Sequence, residues 1–313
     1  MKKILSLSLS IFVLVLIALS LSSTRVDAFA GGDGSPENPY QISTCLELQD
    51  MDTDLDANYI LINNIDCSAT TGWNAGAGFE PVGNSGTPFV GTLDGQGFNI
   101  TELFTEGSAF YVGLFGVVGV GGEIDNVGLE DAQIGIAFPD EIFVGALVGK
   151  NDGTITRSHS TGLVDVNVDG PTGGLVGSNT GSITNSYSRA NVTNNDSRTA
   201  GLVGSNTGTI TKSYSVGAVS GPISGGLVSF NSGTITNSFW DTQTSGQATS
   251  AGGTGKTTAE MKDEATFTDT DTPGLTSAWD FVDNPNDDGG SDNFWDIDGL
   301  TNNGYPFLNF VEA

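Results

Sequence analysis

One motif recurs along the middle of the chain, and this internal repeat restricts the fold more than any other feature of the sequence. The clearest copies begin with Gly-Leu-Val-Gly-Ser-Asn at Gly174 and Gly201, and looser copies stand on either side of them. Four copies carry an equivalent leucine: Leu147, Leu175, Leu202 and Leu227. These leucines lie 28, 27 and 25 residues apart. A unit of this length is too short for a propeller blade and lacks the pattern of a leucine-rich repeat.

The repeat predicts a solenoid of short parallel strands. Within one unit we expect three strands, around residues 175–176, 182–184 and 190–192, separated by corners that carry Gly or Asn. A single coil cannot bury its apolar side chains, but stacked coils pair their backbones about 4.8 Å apart and place leucine over leucine. Parallel crossovers are right-handed in nearly all proteins. We therefore predict an all-β fold, a right-handed parallel β-helix (β-solenoid) with N- and C-terminal caps.

Each repeat also has a corner with the pattern Asn-x-Gly. The asparagines at these corners are Asn151, Asn179, Asn206 and Asn231. Stacked asparagines can hydrogen-bond through their amides to one another or to the neighbouring backbone, and glycine at a corner allows a positive φ. Because the same residue types recur at one position of every repeat, we interpret the leucines and asparagines as structural ladders with no catalytic role.

The extended motif Gly-Leu-Val-Gly-x-Asn-x-Gly-x-Ile-Thr-x-Ser-Tyr resembles the GLUG motif of bacterial secreted and surface proteins. Segments 34–43, 58–66 and 89–98 are similar to the coils that precede such repeats, and segments 252–262 and 305–308 resemble the closing part of these proteins. The resemblance implies a right-handed β-helix and a role in surface display or adhesion. It supplies no catalytic residue.

On this basis we divide the chain into four parts. Residues 1–30 are a signal peptide, and residues 31–110 form the N-terminal cap and the first coils of the β-helix. Residues 111–240 form the GLUG-type repeat coils. Residues 241–313 form a C-terminal capping segment, in which we expect a short helix over 257–264 and an acidic loop.

The N-terminus has the features of an export signal. Lys2 and Lys3 precede an apolar run over residues 4–21, and Ala28-Phe29-Ala30 matches the pattern that signal peptidase recognises. We predict cleavage after Ala30 and a secreted or cell-surface location; the alternative is that the apolar run is kept as a membrane anchor. After cleavage, we expect no further membrane span.

The sequence contains two cysteines, Cys45 and Cys67. In an oxidising compartment two cysteines are expected to pair, and a disulfide at this position would contribute on the order of 3 kcal/mol to stability. The alternative is two buried thiols that only fill space.

Acidic residues outnumber basic residues by 37 to 10, and the net charge is -27 at pH 7. Such a surface repels phosphate backbones, so we expect no nucleic acid partner. Residues 250–257 resemble a phosphate-binding loop, but the strict pattern requires glycine where Ser250 stands. We therefore expect a turn at this segment and no bound nucleotide.

His159 is the only histidine, and it occupies the repeat position held elsewhere by Tyr187, Tyr214 and Phe239. We expect it to join a stack of aromatic rings. A chain with one histidine lacks the paired histidines of the zinc site in metalloproteases that share GLUG repeats. Acidic residues do not cluster on adjacent repeats, so no carboxylate pair suited to glycan cleavage stands out.

The segment 283–292 is acidic and resembles an insertion into the closing part of the chain. Asn284, Asn286 and Asp288 match the start of a calcium-binding loop, but Trp295 stands where the pattern requires glutamate. We expect no organic cofactor. Calcium held by these three residues is one interpretation of the segment, and a solvated acidic loop is the other.

Four repeats also contain Thr-Ile-Thr or Ser-Ile-Thr, at residues 154–156, 182–184, 209–211 and 234–236. This pattern directs isoleucine inward and two hydroxyl groups outward, about 7 Å apart along the strand and about 4.8 Å apart between coils. The resulting grid resembles the ice-binding faces of some solenoids, although threonine is also common in ordinary strands.

The sequence favours a non-enzymatic, exported protein that uses a lateral face for adhesion or for binding a glycan or matrix component. The expected partner is an extracellular glycan or a surface protein. A polysaccharide lyase or hydrolase on a β-helix scaffold is the first alternative, and ice binding is the second. Two carboxylates beside a basic side chain in a lateral groove would favour the enzyme, and a flat Ser/Thr/Asn face would favour the binding protein.

Overall fold

A computed structural model describes residues 29–107, 109–136, 142–282 and 293–309. Over these residues the regular structure is almost entirely β, and successive coils stack in parallel to form a β-solenoid. The predicted all-β, parallel β-helical fold is therefore confirmed. The signal peptide predicted over residues 1–30 lies almost wholly outside the described residues.

The described strands form four parallel sheets along the solenoid. Sheet A has eight strands: Tyr40–Ile42, Asn58–Leu61, Thr92–Asp94, Glu123–Asp125, Thr154–Thr156, Ser182–Thr184, Thr209–Thr211 and Thr234–Thr236. Sheet B has eleven: Ile65–Asp66, Asn99–Thr101, Phe104–Thr105, Gly128–Ile134, His159–Val166, Tyr187–Ser188, Asn191–Asn194, Tyr214–Ser215, Val219–Ser220, Phe239–Asp241 and Thr254–Lys256. Sheet C has five: Tyr111–Val112, Phe143–Gly145, Thr172–Gly173, Arg198–Ala200 and Ile223–Gly225. Sheet D also has five: Phe115–Val118, Val148–Asn151, Val176–Asn179, Val203–Asn206 and Val228–Asn231.

One coil of the repeat region passes through all four sheets. The coil that starts at Thr172 contributes Thr172–Gly173 to sheet C, Val176–Asn179 to sheet D, Ser182–Thr184 to sheet A, and both Tyr187–Ser188 and Asn191–Asn194 to sheet B. The prediction of three strands per unit was wrong, because the Gly-Leu part of the motif forms a corner between two strands and sheet B receives two strands from this coil.

Like side chains lie over like side chains inside the solenoid. Ile155 pairs with Ile183, and Ile183 pairs with Ile210, in the register of sheet A. The backbone N–H of each of the first three repeat leucines donates to the leucine carbonyl of the next coil, at 3.0, 2.9 and 3.0 Å along the series. These leucines are Leu147, Leu175, Leu202 and Leu227, and all are fully buried. Each buried leucine or isoleucine contributes about 1.5–3 kcal/mol, so stacking turns a small gain per coil into a stable rod.

The corner asparagines form a hydrogen-bonded ladder. Nδ2 of Asn151 donates to Oδ1 of Asn179, and the same bond recurs from Asn179 to Asn206 and from Asn206 to Asn231, at 2.8 Å each. Asn151, Asn179 and Asn206 are fully buried. The ladder supplies the shortest hydrogen bonds of these buried amide groups, which also donate to backbone carbonyls at 3.3–3.4 Å.

The second glycine of the Gly-Leu-Val-Gly motif is required because sheets C and D approach closely. A Cβ atom at Gly149 would lie 2.6 Å from the backbone nitrogen of Val112, and one at Gly177 would lie 2.6 Å from that of Val144. Neither glycine has a positive φ. Glycine is therefore needed at this position because backbone packs directly against backbone there, with no room for a side chain.

Helix α1 (Cys45–Asp50) and the 3-10 turn Met51–Thr53 pack on the N-terminal part of the core. Thr44 and Glu47 form a capping box at the start of the helix. A disulfide joins Cys45 in α1 to Cys67, with the two Cα atoms 5.3 Å apart. Two further 3-10 turns follow, at Ser68–Gly72 and Asn74–Gly76.

The C-terminal segment first closes the end of the solenoid. Ser250 Oγ accepts a hydrogen bond from the N–H of Val228 at 2.9 Å, beyond the last strand of sheet D. The helix predicted over 257–264 was wrong: a 3-10 turn occupies Glu260–Lys262, and helix α2 spans only Ala265–Thr268. Reciprocal hydrogen bonds between Thr257 and Glu260 form a capping box that starts this short turn.

The same segment then returns along the outside of sheet B. Its side chains form a hydrophobic cluster distinct from the solenoid interior. The last regular elements are the 3-10 turn Thr301–Gly304 and an antiparallel pair, Trp295–Asp296 with Phe307–Leu308. The solenoid contributes Tyr187, Tyr214, Val216 and Phe239 to this cluster, and the segment contributes Met261, Phe267, Leu275, Trp279, Phe281, Trp295, Tyr305 and Leu308.

Candidate functional site

Sheet A presents a polar face with a regular grid of hydroxyl groups. In its last four strands the flanking hydroxyl residues are more exposed than the central isoleucine, which is fully buried in the first three of these strands. The register is unbroken, so the hydroxyl residues align in two columns. One column is Thr154, Ser182, Thr209 and Thr234, and the other is Thr156, Thr184, Thr211 and Thr236.

Towards the N-terminus the same two columns become acidic. Glu123 and Asp125 occupy them one coil before Thr154 and Thr156. Asp125 accepts a hydrogen bond from Thr156 Oγ1 at 2.8 Å and forms an ion pair with Arg157. The hydroxyl grid therefore spans four coils and ends, on its N-terminal side, at the Asp125 carboxylate that is paired with Arg157.

The outside of sheet B carries a column of stacked rings that includes His159, as the repeat alignment predicted. The His159 ring stacks on Tyr187 at 4.7 Å, and Tyr187 stacks on Tyr214 at 4.9 Å. A hydrogen bond with the His159 side chain is the main cause that lowers the pKa of the Glu130 carboxyl. Burial raises the pKa of the Tyr214 hydroxyl well above its ordinary value. The C-terminal segment packs on Tyr187 and Tyr214, so this part of the column is an internal packing surface.

A cavity of about 550 Å³ opens beside the first strand of sheet C. Its walls come from Asp52, from residues between 77 and 85, and from Gly107, Ala109, Phe110 and Tyr111. The Phe110 side chain is exposed over 67% of its surface, and the Tyr111 ring stacks on Phe143 of the next coil at 5.3 Å. We call this feature the Phe110 cavity.

The Phe110 cavity forms because sheet C begins later in the chain than sheets A and B. The preceding coil has a loop at this place, whose isolated bridges join Val82 to Phe115 and Phe89 to Val118 in sheet D and Gly78 to Thr105 in sheet B. Gly78 and Gly83 in the loop have positive φ values of 86° and 72°. A Cβ atom at Gly83 would also lie 2.7 Å from the nitrogen of Phe89. Both glycines are therefore needed for the loop to turn as it does.

Two acidic residues in the cavity wall are anchored by hydrogen bonds, Asp52 through its side chain and Glu80 through its backbone. Asp52 Oδ1 accepts from the N–H of Gly83 at 3.0 Å. The backbone of Glu80 is fixed by Gln49, whose Oε1 accepts from the Glu80 N–H and whose Nε2 donates to the Glu80 carbonyl, at 2.9 Å each. None of the described residues that line the cavity is basic. The cavity thus combines an exposed aromatic ring with two negative charges.

The Phe110 cavity could not be predicted from the sequence, because its walls come from segments that are distant in the chain and belong to no repeat. One signal was available. Phe110-Tyr111 occupies the position that Ile142-Phe143 holds one coil later, so an aromatic residue stands at the start of two successive sheet C strands. Alignment of these positions would have predicted a stacked aromatic pair, but not the missing strand that leaves the space beside it.

The residues singled out from the sequence do not meet at one site. Asn284, Asn286 and Asp288 lie outside the described residues. Within the described ranges, no group of three or more His, Cys, Asp or Glu side chains is arranged to hold a metal ion. Lys256, in the segment that resembles a phosphate-binding loop, is buried and lies 5.4 Å from the centre of the Phe239 ring. The Lys256 ammonium group therefore makes a cation–π contact inside the fold.

Comparison with known proteins gives partial matches. The chain is 37% identical over 145 residues to halomucin of Haloquadratum walsbyi, a match that covers 44% of this chain and 2% of that protein. It is 39% identical over 132 residues to a "Putative Gly-rich membrane protein" of Evansella cellulosilytica, covering 41% of this chain and 15% of that protein. The chain thus matches only a small part of either relative. No family model matches it.

One solved structure has the same fold over most of its length. It is the crystal structure of a "putative immunoglobulin A1 protease" from Bacteroides ovatus, with a TM-score of 0.64 over 91% of this chain and 96% of that chain. The two sequences are 18% identical, so the likeness concerns the fold alone. In the part of the chain that the structure describes, no helix has the length and hydrophobicity that a bilayer span requires.

Proposed function

We propose that this protein is exported, acts at the cell surface, and binds an extracellular glycan at the Phe110 cavity without cleaving it. One observation carries the proposal: an aromatic ring that is 67% exposed stands in the wall of a cavity of about 550 Å³. Small-molecule sites are concave, lined by apolar and aromatic groups with a few polar groups, and typically about 300–1,000 Å³ in volume. Phe110 differs from the other exposed hydrophobic residues of the described chain in that it lines this cavity, where its ring is free to contact a ligand.

A glycan fits the chemistry of the cavity. Aromatic rings pack against the apolar faces of sugar rings, and carboxylates accept hydrogen bonds from sugar hydroxyls. Tyr111 and Phe143 stack on adjacent coils, so the aromatic surface continues from the cavity towards the next coil. An extended polymer that lies along the solenoid would contact both rings.

Several features support a location outside the cytoplasm. The N-terminal residues resemble an export signal, with Lys2 and Lys3 before the apolar run and Ala28-Phe29-Ala30 after it. The disulfide between Cys45 and Cys67 suits an oxidising compartment. One relative is named a membrane protein, and the repeat resembles the GLUG motif of surface proteins.

Binding without cleavage is favoured by the surroundings of the two carboxylates. Asp52 and Glu80 are both exposed. A glycoside hydrolase keeps one carboxyl group in a desolvated environment, where it stays protonated and acts as the acid. A lyase needs a basic group beside the acids, and the described cavity wall contains none.

The proposal is tested by a glycan array that contains neutral, acidic and amino sugars, probed with the secreted protein and the variant Phe110→Ala. We expect at least one glycan to bind, and we expect the variant to lose about tenfold or more in affinity because it lacks the exposed ring. Phe230→Ala is the matched control, since Phe230 is also exposed but lies on the last strand of sheet D. Absence of any glycan binding, or equal binding by wild type and Phe110→Ala, would contradict the proposal.

The hydroxyl grid of sheet A favours a second candidate function, ice binding. Two columns of hydroxyl groups in register over four coils form a flat array with repeats of about 4.8 and 7 Å. Purified protein that binds ice shows thermal hysteresis, and its absence would end this candidate. Thr184→Tyr with Thr211→Tyr should abolish hysteresis by disrupting one column, whereas Thr193→Tyr in sheet B should leave it unchanged.

A further inference from the structure

The Phe110 cavity is negatively charged within an already acidic protein. Its described walls hold Asp52 and Glu80 and no basic residue, and the net charge of the chain is -27. Two basic side chains of the solenoid are paired with acids outside the cavity. Arg157 pairs with Asp125, and Lys150 pairs with Asp152. The potential in the cavity therefore attracts cations and repels anions.

The exposed ring adds a second preference for positive charge. The face of an aromatic ring attracts a cation electrostatically, by about 0.5–1 kcal/mol at an exposed site and more when the cation is desolvated. Phe110 offers such a face in the same cavity as the two carboxylates. A ligand group that carries a positive charge next to an apolar surface would interact favourably with both the carboxylates and the aromatic ring.

The Asp52 carboxylate is also held in place before a ligand arrives, and the backbone that carries Glu80 is fixed. Asp52 follows helix α1 in the turn Met51–Thr53 and is tied to the loop by the Gly83 N–H. Glu80 is tied to α1 through Gln49. A preorganised charge such as that of Asp52 loses less conformational entropy on binding, which makes its contribution to selectivity larger.

We infer that the Phe110 cavity selects a glycan with free amino groups, such as a polymer of glucosamine units, over neutral and acidic glycans. The inference rests on the proposed glycan-binding function and specifies the charge of the ligand. A protonated amino group pairs with Asp52 or Glu80 while the sugar ring packs on Phe110. A uronic acid or a sulfated sugar would place an anion beside two carboxylates, which costs binding energy.

The experiment compares two hexasaccharides with the same backbone by calorimetry on the full secreted protein. One is the chitosan hexamer, whose amino groups are free, and the other is its fully N-acetylated counterpart, which is neutral. We expect the chitosan hexamer to bind at least about tenfold more tightly at low ionic strength. The difference should shrink in high salt, because ions screen exposed charges, and at a pH where the amino groups lose their protons.

Variants separate local recognition from general attraction. Asp52→Asn keeps the oxygen that accepts the Gly83 N–H, and Glu80→Gln leaves the backbone bonds to Gln49 intact, so both should fold. Each should reduce the advantage of the chitosan hexamer by about threefold or more. Asp196→Asn removes the same charge from an exposed turn outside the cavity and should leave the advantage unchanged.

Three results would overturn the inference. If the N-acetylated hexamer binds as tightly as the chitosan hexamer, and both depend on Phe110, the cavity binds glycans without charge selection and the proposed function stands. If Asp196→Asn weakens chitosan binding as much as Asp52→Asn does, the attraction belongs to the whole surface and the cavity selects nothing. If neither hexamer nor any other glycan binds, the proposed function itself fails, and the inference fails with it.

Discussion

The contribution of a single side chain to the stability of this protein depends on the column of equivalent residues in which it stacks. Asn179 is an example, since its amide donates to Asn206 and its oxygen accepts from Asn151, both at 2.8 Å. It is fully buried in the middle of the ladder. Truncation of this one residue would leave a donor on one neighbour and an acceptor on the other without their ladder partner.

We therefore expect Asn179→Ala to lower the free energy of unfolding by about 2–4 kcal/mol, because buried polar groups lose partners on both sides. Asn195→Ala is the matched control. The Asn195 amide bonds to Asn167 on the surface at 2.7 Å, and water can replace this bond. Denaturant unfolding of both variants measures the difference, and equal losses would show that the ladder adds nothing beyond an exposed amide pair.

At the scale of the element, the outer face of sheet B depends on the C-terminal segment that covers it. Tyr305 in this segment donates its hydroxyl to Oδ2 of buried Asp241, at 2.8 Å. Oδ1 of Asp241 accepts from the N–H groups of Gln243 and Thr244. Burial, together with the Asp241 carboxylate, raises the pKa of Tyr305 to about 12. The neutral tyrosine is therefore part of what holds the segment against the sheet.

Alkaline conditions should weaken this attachment. The unfolded chain releases the Tyr305 proton near the ordinary pKa of 10.0, whereas the folded chain keeps it to about 12. The contribution of Tyr305 is thus complete below about pH 10 and is lost as the pH rises towards 12. We expect the free energy of unfolding to fall over this window, and to fall less steeply in Tyr305→Phe.

The same variant should also lose about 1–3 kcal/mol at neutral pH, because one oxygen of buried Asp241 loses its donor. Tyr40→Phe is the control, since the half-exposed Tyr40 ring stacks on Phe29 at the other end of the molecule. Unfolding measured at several pH values tests the prediction. Identical pH slopes for Tyr305→Phe and Tyr40→Phe would contradict it.

At the scale of the whole molecule, the solenoid could be predicted, but the path of the C-terminal segment over sheet B and the Phe110 cavity could not. Stacking requires that like residues recur at one spacing, and Leu175 and Leu202 reveal that spacing directly in the sequence. The hydrophobic residues of the C-terminal segment, such as Trp279 and Trp295, have no repeat to align with, so the sequence does not show that they bury an outer column. The Phe110 cavity was missed for a related reason, because it arises where a strand of the repeat is absent.

The C-terminal segment that returns along sheet B changes how the solenoid can unfold. In a simple solenoid each coil touches only its neighbours, and the ends can fray while the middle stays intact. Here Phe294 lies 5.2 Å below the Arg157 guanidinium and Tyr305 bonds to Asp241, although Arg157 and Asp241 belong to coils three turns apart. The returning segment thus fastens coils that precede it in the sequence, so the coils from Arg157 to Asp241 should unfold as one cooperative block instead of fraying one by one.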